Sequence, residues 1–259
     1  MSTSKGKAST RAKNKYNAKA YDSIHLTVPK GRKPEILAVA EAAGDSLNGY
    51  ITKALNQRLS EKERYKTKIY TIIGGVNGTG KSSFTGALKP RMTDLGEIID
   101  VDKLTAEAGV SPIEGGKIAL HKITDCLAKG ESFTQETTLS GHRTVITAKK
   151  AKALGFYIRM YYIGLDTPEE SLARIANRVA RGGHKISEDD VRRRFENRFD
   201  AIKKILHLCN EVIFFDNDNG FEEAAKFCNG KLILTTEKPP KWVNELSQSI
   251  QEKETDSLS

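Results

Sequence analysis

Apolar and polar positions alternate strictly from Ser23 to Val28, with Ile24, Leu26 and Val28 on one face and Ser23, His25 and Thr27 on the other. The spacing predicts a short strand that Pro29 stops. The period then lengthens: Ile36, Leu37, Val39, Ala40 and Ala43 recur at close to helical spacing behind Pro34, predicting a helix that Gly44 ends. Ser46 caps a second helix carrying Leu47, Tyr50, Ile51, Ala54, Leu55 and Leu59. Strand, helix and helix within residues 21–60 bury too little to stand alone, so the module is expected to pair with a second copy. Residues 61–68 are charged and polar and read as a linker.

From residue 69 onward apolar runs of strand length alternate with helical patterns. Strands are expected at Ile69–Ile73, at Glu97–Asp100 continuing into Val101 and Asp102, at Ser132–Thr137, at Phe156–Leu165 and at Val212–Phe215, with an edge strand at Lys231–Thr235. A helix over Gly116–Lys129 sets Leu120, Ile123 and Leu127 together. The alternation predicts an α/β fold over residues 69–237, a parallel sheet with helices on both faces. Residues 238–259 read as a polar tail.

The first of these strands runs into Gly75-Val76-Asn77-Gly78-Thr79-Gly80-Lys81-Ser82-Ser83, the full G-x-x-x-x-G-K-S spacing of a P-loop. Glycines let successive backbone N–H groups point at one anion, and the following helix adds its positive end. Lys81 can reach the outer phosphates, and Ser82 can supply a hydroxyl to Mg²⁺, which prefers oxygen ligands. Gly75, Asn77, Gly78, Thr79, Gly80, Lys81, Ser82 and Ser83 are therefore the expected nucleotide-binding residues, for ATP or GTP with Mg²⁺.

Ligands of such sheets sit at the carboxyl ends of the strands, where Asp100 or Asp102, Glu136 and Asp166 fall. Acids beside a P-loop can hold Mg²⁺ and activate a hydroxyl; Asp166, ahead of Thr-Pro-Glu-Glu, reads instead as helix-start chemistry. The second dense feature is basic. Arg174, Arg178 and Arg181 precede Gly182-Gly183-His184-Lys185, and Arg192-Arg193-Arg194 and Arg198 follow. Two arginine-rich helices around a glycine turn suit a lid over transferring phosphates, whose spread charge guanidinium groups neutralise.

Composition narrows the partners. The net charge is +9, and residues 1–20 hold six Lys/Arg and no acid, a tail suited to a polyanion. No apolar stretch nears the roughly 20 residues of a membrane helix, and the first 19 residues contain no apolar signal core, so a cytoplasmic protein is expected. Cys126, Cys209 and Cys228 have no metal spacing and read as buried thiols.

Residues 21–60 resemble the ribbon-helix-helix DNA-binding proteins, in Ile24–Gly31 and Asp45–Ile51. The resemblance implies a homodimer whose paired strands enter the major groove of duplex DNA. Ser23, His25 and Thr27 would then face bases, and Lys30, Arg32 and Lys33 phosphates. The outward strand face departs from that family in carrying no Arg, Lys or Asn.

Residues 69–235 resemble the zeta-toxin-like P-loop kinases, in Gly75–Ser83, Asp100-Val101-Asp102, Gln135–Gly141 and Arg178–His184; the run from Gly183 to Arg194 matches the branch labelled predicted ABC-type ATPases. An ABC transporter signature is not met, since His142 and Arg143 follow Leu139-Ser140-Gly141. The resemblance implies a kinase that phosphorylates a hydroxyl of a small molecule, a nucleotide sugar such as UDP-N-acetylglucosamine in the toxins, in a toxin–antitoxin setting. It implies Asp102 as base with Asp100 beside it, Glu136 as substrate or Mg²⁺ residue, and Arg178, Arg181 and Arg194 as lid, with Lys81 on the phosphates. The competing expectation is a DNA-binding regulator whose P-loop domain only senses or hydrolyses nucleotide.

Overall fold

The computed structural model describes residues 26–64, 67–183, 186–228 and 230–256. The expected basic tail, together with Ser23, His25, His184 and Lys185, lies outside the described residues. The chain divides into two compact units, Met1–Ser60 and Glu61–Ser259.

In the first unit, helix α1 (Arg32–Ala42) follows Gly31, and α2 (Leu47–Arg64) starts after Ser46, whose Oγ accepts from the Gly49 N–H at 3.1 Å. Leu26 to Pro29 form no ladder, unlike the expected strand. A strand is completed by its hydrogen-bonded neighbour, and none of the described residues supplies one there. The expected linker also differs: Glu61-Lys62-Glu63-Arg64 continue α2, because all four are strong helix formers.

The second unit is built on one seven-stranded sheet in the order β2-β3-β1-β4-β5-β6-β7. Its strands are β1 (Ile69–Gly74), β2 (Glu97–Ile99), β3 (Phe133–Thr137), β4 (Tyr157–Gly164), β5 (Glu211–Asp216), β6 (Glu222–Cys228) and β7 (Lys231–Leu234). The first five pair in parallel, whereas β6 and β7 are antiparallel additions. Only a short loop joins β5 to β6, too short for the crossover that parallel pairing needs. β1 lies inside the sheet between β3 and β4, and all six of its residues are buried.

Both sheet faces are covered. Tyr70, Ile72, Ile158, Met160 and Tyr162 point into a large core with residues of α5 (Pro112–Lys129), α6 (Arg143–Ala153), α9 (Arg198–Leu206) and α10 (Lys241–Asp256). Their neighbours Ile73, Tyr161 and Ile163 pack on the other face against Phe84 of α3 (Lys81–Leu88). The expected polar tail is in fact α10: Trp242, Val243 and Leu246 are buried in the large core. Trp242 closes the carboxyl end of two strands, its backbone N–H donating to Asp166 Oδ1 at 2.9 Å and its indole N–H to Asp216 Oδ1 at 2.8 Å. Among the described residues no helix is long and apolar enough to cross a membrane.

Candidate active site

β1 delivers the chain to Gly75, whose φ of 149° suits glycine, and a Cβ there would stand 2.5 Å from the Ile163 carbonyl oxygen. The loop then rises to Gly80 (φ 91°), which begins α3 with no side-chain cap, leaving the first N–H groups of the helix available to an anion. Lys81 Nζ donates to the Gly75 and Val76 carbonyls at 2.8 and 3.0 Å. Burial lowers its pKa from 10.5 to about 8, against the opposing pull of Glu136, Asp102 and Asp100.

The loop is held from outside by the expected basic residues Arg174 and Arg194 and by two residues that no motif marks, Asn217 and Ser171. Asn217, in the β5–β6 loop, donates from Nδ2 to the Thr79 carbonyl at 2.8 Å. Arg174, on α7 (Pro168–Ala180), donates to the Asn217 carbonyl, and Ser171 Oγ donates to the Asn77 carbonyl. Arg194, on α8 (Glu188–Glu196), donates from Nη1 to Asn77 Oδ1 at 2.6 Å.

Three oxygen donors converge beside Lys81. Ser82 Oγ donates to Glu136 Oε2 at 2.7 Å and lies 3.5 Å from Asp100 Oδ2. The parallel register opposes Glu136 to Ile73, so the acid lies immediately before the loop's level in the sheet. Burial raises the Glu136 pKa, and hydrogen bonds from Thr85 and Ser82 oppose that rise. Asp100 is where the second strand's expected course is corrected. The strand ends at Ile99, and Asp100 caps α4 (Val101–Ala108), its Oδ1 accepting from the Asp102 and Lys103 N–H groups. Asp102 thus stands in the first turn of a helix and faces the cavity from there. Among the described residues no three His, Cys, Asp or Glu gather into a metal cluster. One hydroxyl and two carboxylates are nevertheless the hard oxygen set that suits Mg²⁺, which keeps several waters and phosphate oxygens.

The cavity above these groups has a volume of about 940 Å³. Arg174, Arg178 and Arg194 line it, as do Asp100, Asp102 and Glu136. Arg181 does not. The helix ends at Ala180 and Arg181 is its C-cap ahead of left-handed Gly182, so the row of Arg174 and Arg178, four residues apart, stops one turn short of it. Arg198 is also diverted, stacking on Phe195 and Phe199 and pairing with Glu245 at 3.1 Å. Thr138, Ser140, His142 and Arg143 also line the cavity; the β3–α6 loop there holds Leu139 at a φ of 58°, its N–H bonded to Thr137 Oγ1. Of the expected DNA-facing residues, Thr27, Lys30, Arg32 and Lys33 are exposed in the first unit, Arg32 pairing with Glu35 at 3.0 Å.

No family model matches the chain. An uncharacterized protein of Haemophilus influenzae is 35% identical over 127 residues, 47% of this chain and 88% of that protein. Among solved structures, the AvrRxo1-ORF1:AvrRxo1-ORF2 complex has the same fold at 16% identity. It was solved with sulphate ions (TM-score 0.51, 89% of this chain and 80% of that one) and with ATP (0.50, 89% and 79%). A chain of the PezAT chromosomal toxin–antitoxin system of Streptococcus pneumoniae aligns at 18% identity and TM-score 0.49 over 78% of this chain and 92% of its own.

Proposed function

The chain belongs to one family with the Haemophilus influenzae protein and shares the fold of the AvrRxo1-ORF1:AvrRxo1-ORF2 complex, and on that premise, together with its motif resemblance to the zeta-toxin-like P-loop kinases, we propose that it transfers the γ-phosphoryl group of ATP or GTP to a hydroxyl of a small molecule. The observation that carries this is the meeting of Ser82, Glu136 and Asp100 beside Lys81, under three arginines that share the cavity. The P-loop N–H groups and Lys81 hold the outer phosphates. Ser82, Asp100 and Glu136 are the residues that would hold Mg²⁺, whose charge offsets that of the phosphates when bound. Asp102 faces the cavity without capping duty of its own and accepts the proton of the attacking hydroxyl. Arg178, Arg194 and Arg174 stabilise the charge on the transferring group.

The acceptor side supports a polyhydroxylated, anionic substrate of the nucleotide-sugar class. Thr138 and Ser140 offer hydroxyls, His142 an imidazole and Arg143 a guanidinium. The test is incubation with γ-labelled ATP or GTP and a panel of nucleotide sugars. Label should move to a panel member with the wild-type protein and remain on the nucleotide with Lys81→Ala. A folded Lys81→Ala protein with full turnover would sink the assignment, and nucleotide hydrolysis without transfer to any acceptor would favour a nucleotide-sensing regulator.

A further inference from the structure

A second concavity of about 650 Å³ runs between α5 and α6. Its floor includes the buried Ile123 and Leu127, while Leu120, Ile146 and Leu154 at its rims remain 46%, 50% and 47% exposed. The rims are periodic. Leu120, Ile123 and Leu127 follow one another at three and four residues on α5, and Ile146, Lys150 and Leu154 at four on and just after α6. Two rows of side chains one turn apart with a furrow between them are what the ridge of a third helix packs into. Of this face the phosphoryl-transfer reading uses only Arg143, at one end of the groove. Three large apolar side chains left half-exposed around one furrow are the form of a helix contact site.

Charge decides the occupant. α6 carries Arg143, Lys149, Lys150 and Lys152 and no acid, and Lys150 and Arg143 line the groove itself. The two acids of α5 are engaged locally, Glu114 Oε2 accepting from the Ser111 N–H and hydroxyl at 3.1 and 2.8 Å and Asp125 lying 3.3 Å from His121 Nδ1. The chain's own residues 1–20, with six Lys/Arg and no acid, have the wrong sign to cover it. We propose that the groove is the docking site for an amphipathic helix of another protein, with apolar residues one turn apart on one face and Asp or Glu flanking them. The site is independent of the phosphate acceptor, although Arg143 joins it to the cavity.

The test is selection of a displayed library of random 16-residue peptides against the full-length protein. Enriched peptides should carry apolar residues at helical spacing and a net negative charge. Their affinity should fall at least about tenfold against Ile146→Glu and against Leu120→Glu, since each puts a charge into the contact. Both side chains are half exposed, so these variants should keep the wild-type melting temperature and nucleotide binding. Peptides that are basic or unpatterned, or that bind both variants as well as wild type, would overturn the proposal. So would sedimentation showing that the wild type self-associates and Ile146→Glu does not, because the occupant would then be a second copy.

Discussion

Ser82 Oγ donates to Glu136 Oε2 at 2.7 Å, bringing the first turn of α3 onto the end of a strand that comes 54 residues later. The bond joins a poor metal ligand to a strong one. On the proposed reading the hydroxyl and the carboxylate would share a divalent cation, and each change in the pair should be felt as a metal requirement. Glu136→Gln and Ser82→Ala are expected to raise the Mg²⁺ concentration needed for half-maximal turnover, Glu136→Gln the more. Turnover titrated with Mg²⁺ at saturating nucleotide checks this; an unchanged Mg²⁺ midpoint in both would remove them from the metal site.

On the proposed reading Asp100 and Asp102 have different tasks, and their settings differ. Asp100 is fixed by two backbone N–H groups and by its approach to Ser82, whereas Asp102 faces the cavity from the first turn of α4. Asp102→Asn should therefore lower single-turnover transfer by roughly 10²-fold or more with little loss of nucleotide affinity, the range for removing a general base. Asp100→Asn should instead disturb metal dependence. If Asp100→Asn alone abolishes the chemical step with metal saturating, the base lies at Asp100.

What the sequence disclosed follows from how local the cause was. Ile69–Gly74 is buried on both faces, so its apolar run was visible without knowing its neighbours. Gly75 to Ser82 is a local device and reads from spacing alone. β6 was hidden because Glu-Glu-Ala-Ala-Lys-Phe-Cys lacks β-branched residues, and its strand state comes from pairing with β5. α10 was hidden because Trp242, Val243 and Leu246 are three anchors in a polar run, and burial depends on the distant Asp166 and Asp216. The Asp100 turn was missed because Asp-Val-Asp suits a strand end and a helix cap equally. Nothing local marks Asn217, which acts on Thr79 across 138 residues.

The basic run separates into three roles that mutation can distinguish. Arg194 is fixed on Asn77 and Arg178 lines the cavity, while Arg181 caps α7 outside it. Arg194→Ala and Arg178→Ala are expected to slow the chemical step by about 10²-fold, as for removal of a preorganised charge donor. Arg181→Ala should change it less than about threefold. Rapid-quench single turnovers would measure this, and equal losses at Arg181 and Arg194 would mean that the α7–α8 turn closes over the substrate.

Lys81 gives the site a pH signature. Burial holds the free protein's ammonium at about 8, whereas the phosphates of a bound nucleotide favour its charged form. Above pH 8 the free protein has lost this proton and the complex retains it, so binding takes one up and affinity falls, by up to about tenfold per pH unit. Below pH 7 the lysine is charged in both states and contributes no slope. Calorimetry at pH 8.5 in two buffers of different ionisation enthalpy should report proton uptake, and equal apparent enthalpies would contradict it.

The first unit has more apolar surface than it covers. Leu26 is 62% exposed, Leu37 40%, Val39 50% and Leu55 46%, on a segment and two helices that form no ladder of their own. A second copy of the same unit offers both the missing strand neighbour for Leu26–Val28 and a matching apolar face, and a two-fold contact of this kind is self-complementary. The full-length protein should therefore sediment as a dimer at micromolar concentration, and Val39→Glu with Leu37→Glu should shift it to monomer while phosphoryl transfer is retained. Paired units would bring together two sets of Thr27, Lys30, Arg32 and Lys33 and two tails of six positive charges. If that surface meets duplex DNA, log affinity should fall by about 0.9 per phosphate neutralised for each tenfold rise in salt. A monomeric wild type, or a dimer unaffected by the paired substitutions, would place these apolar residues in some other contact.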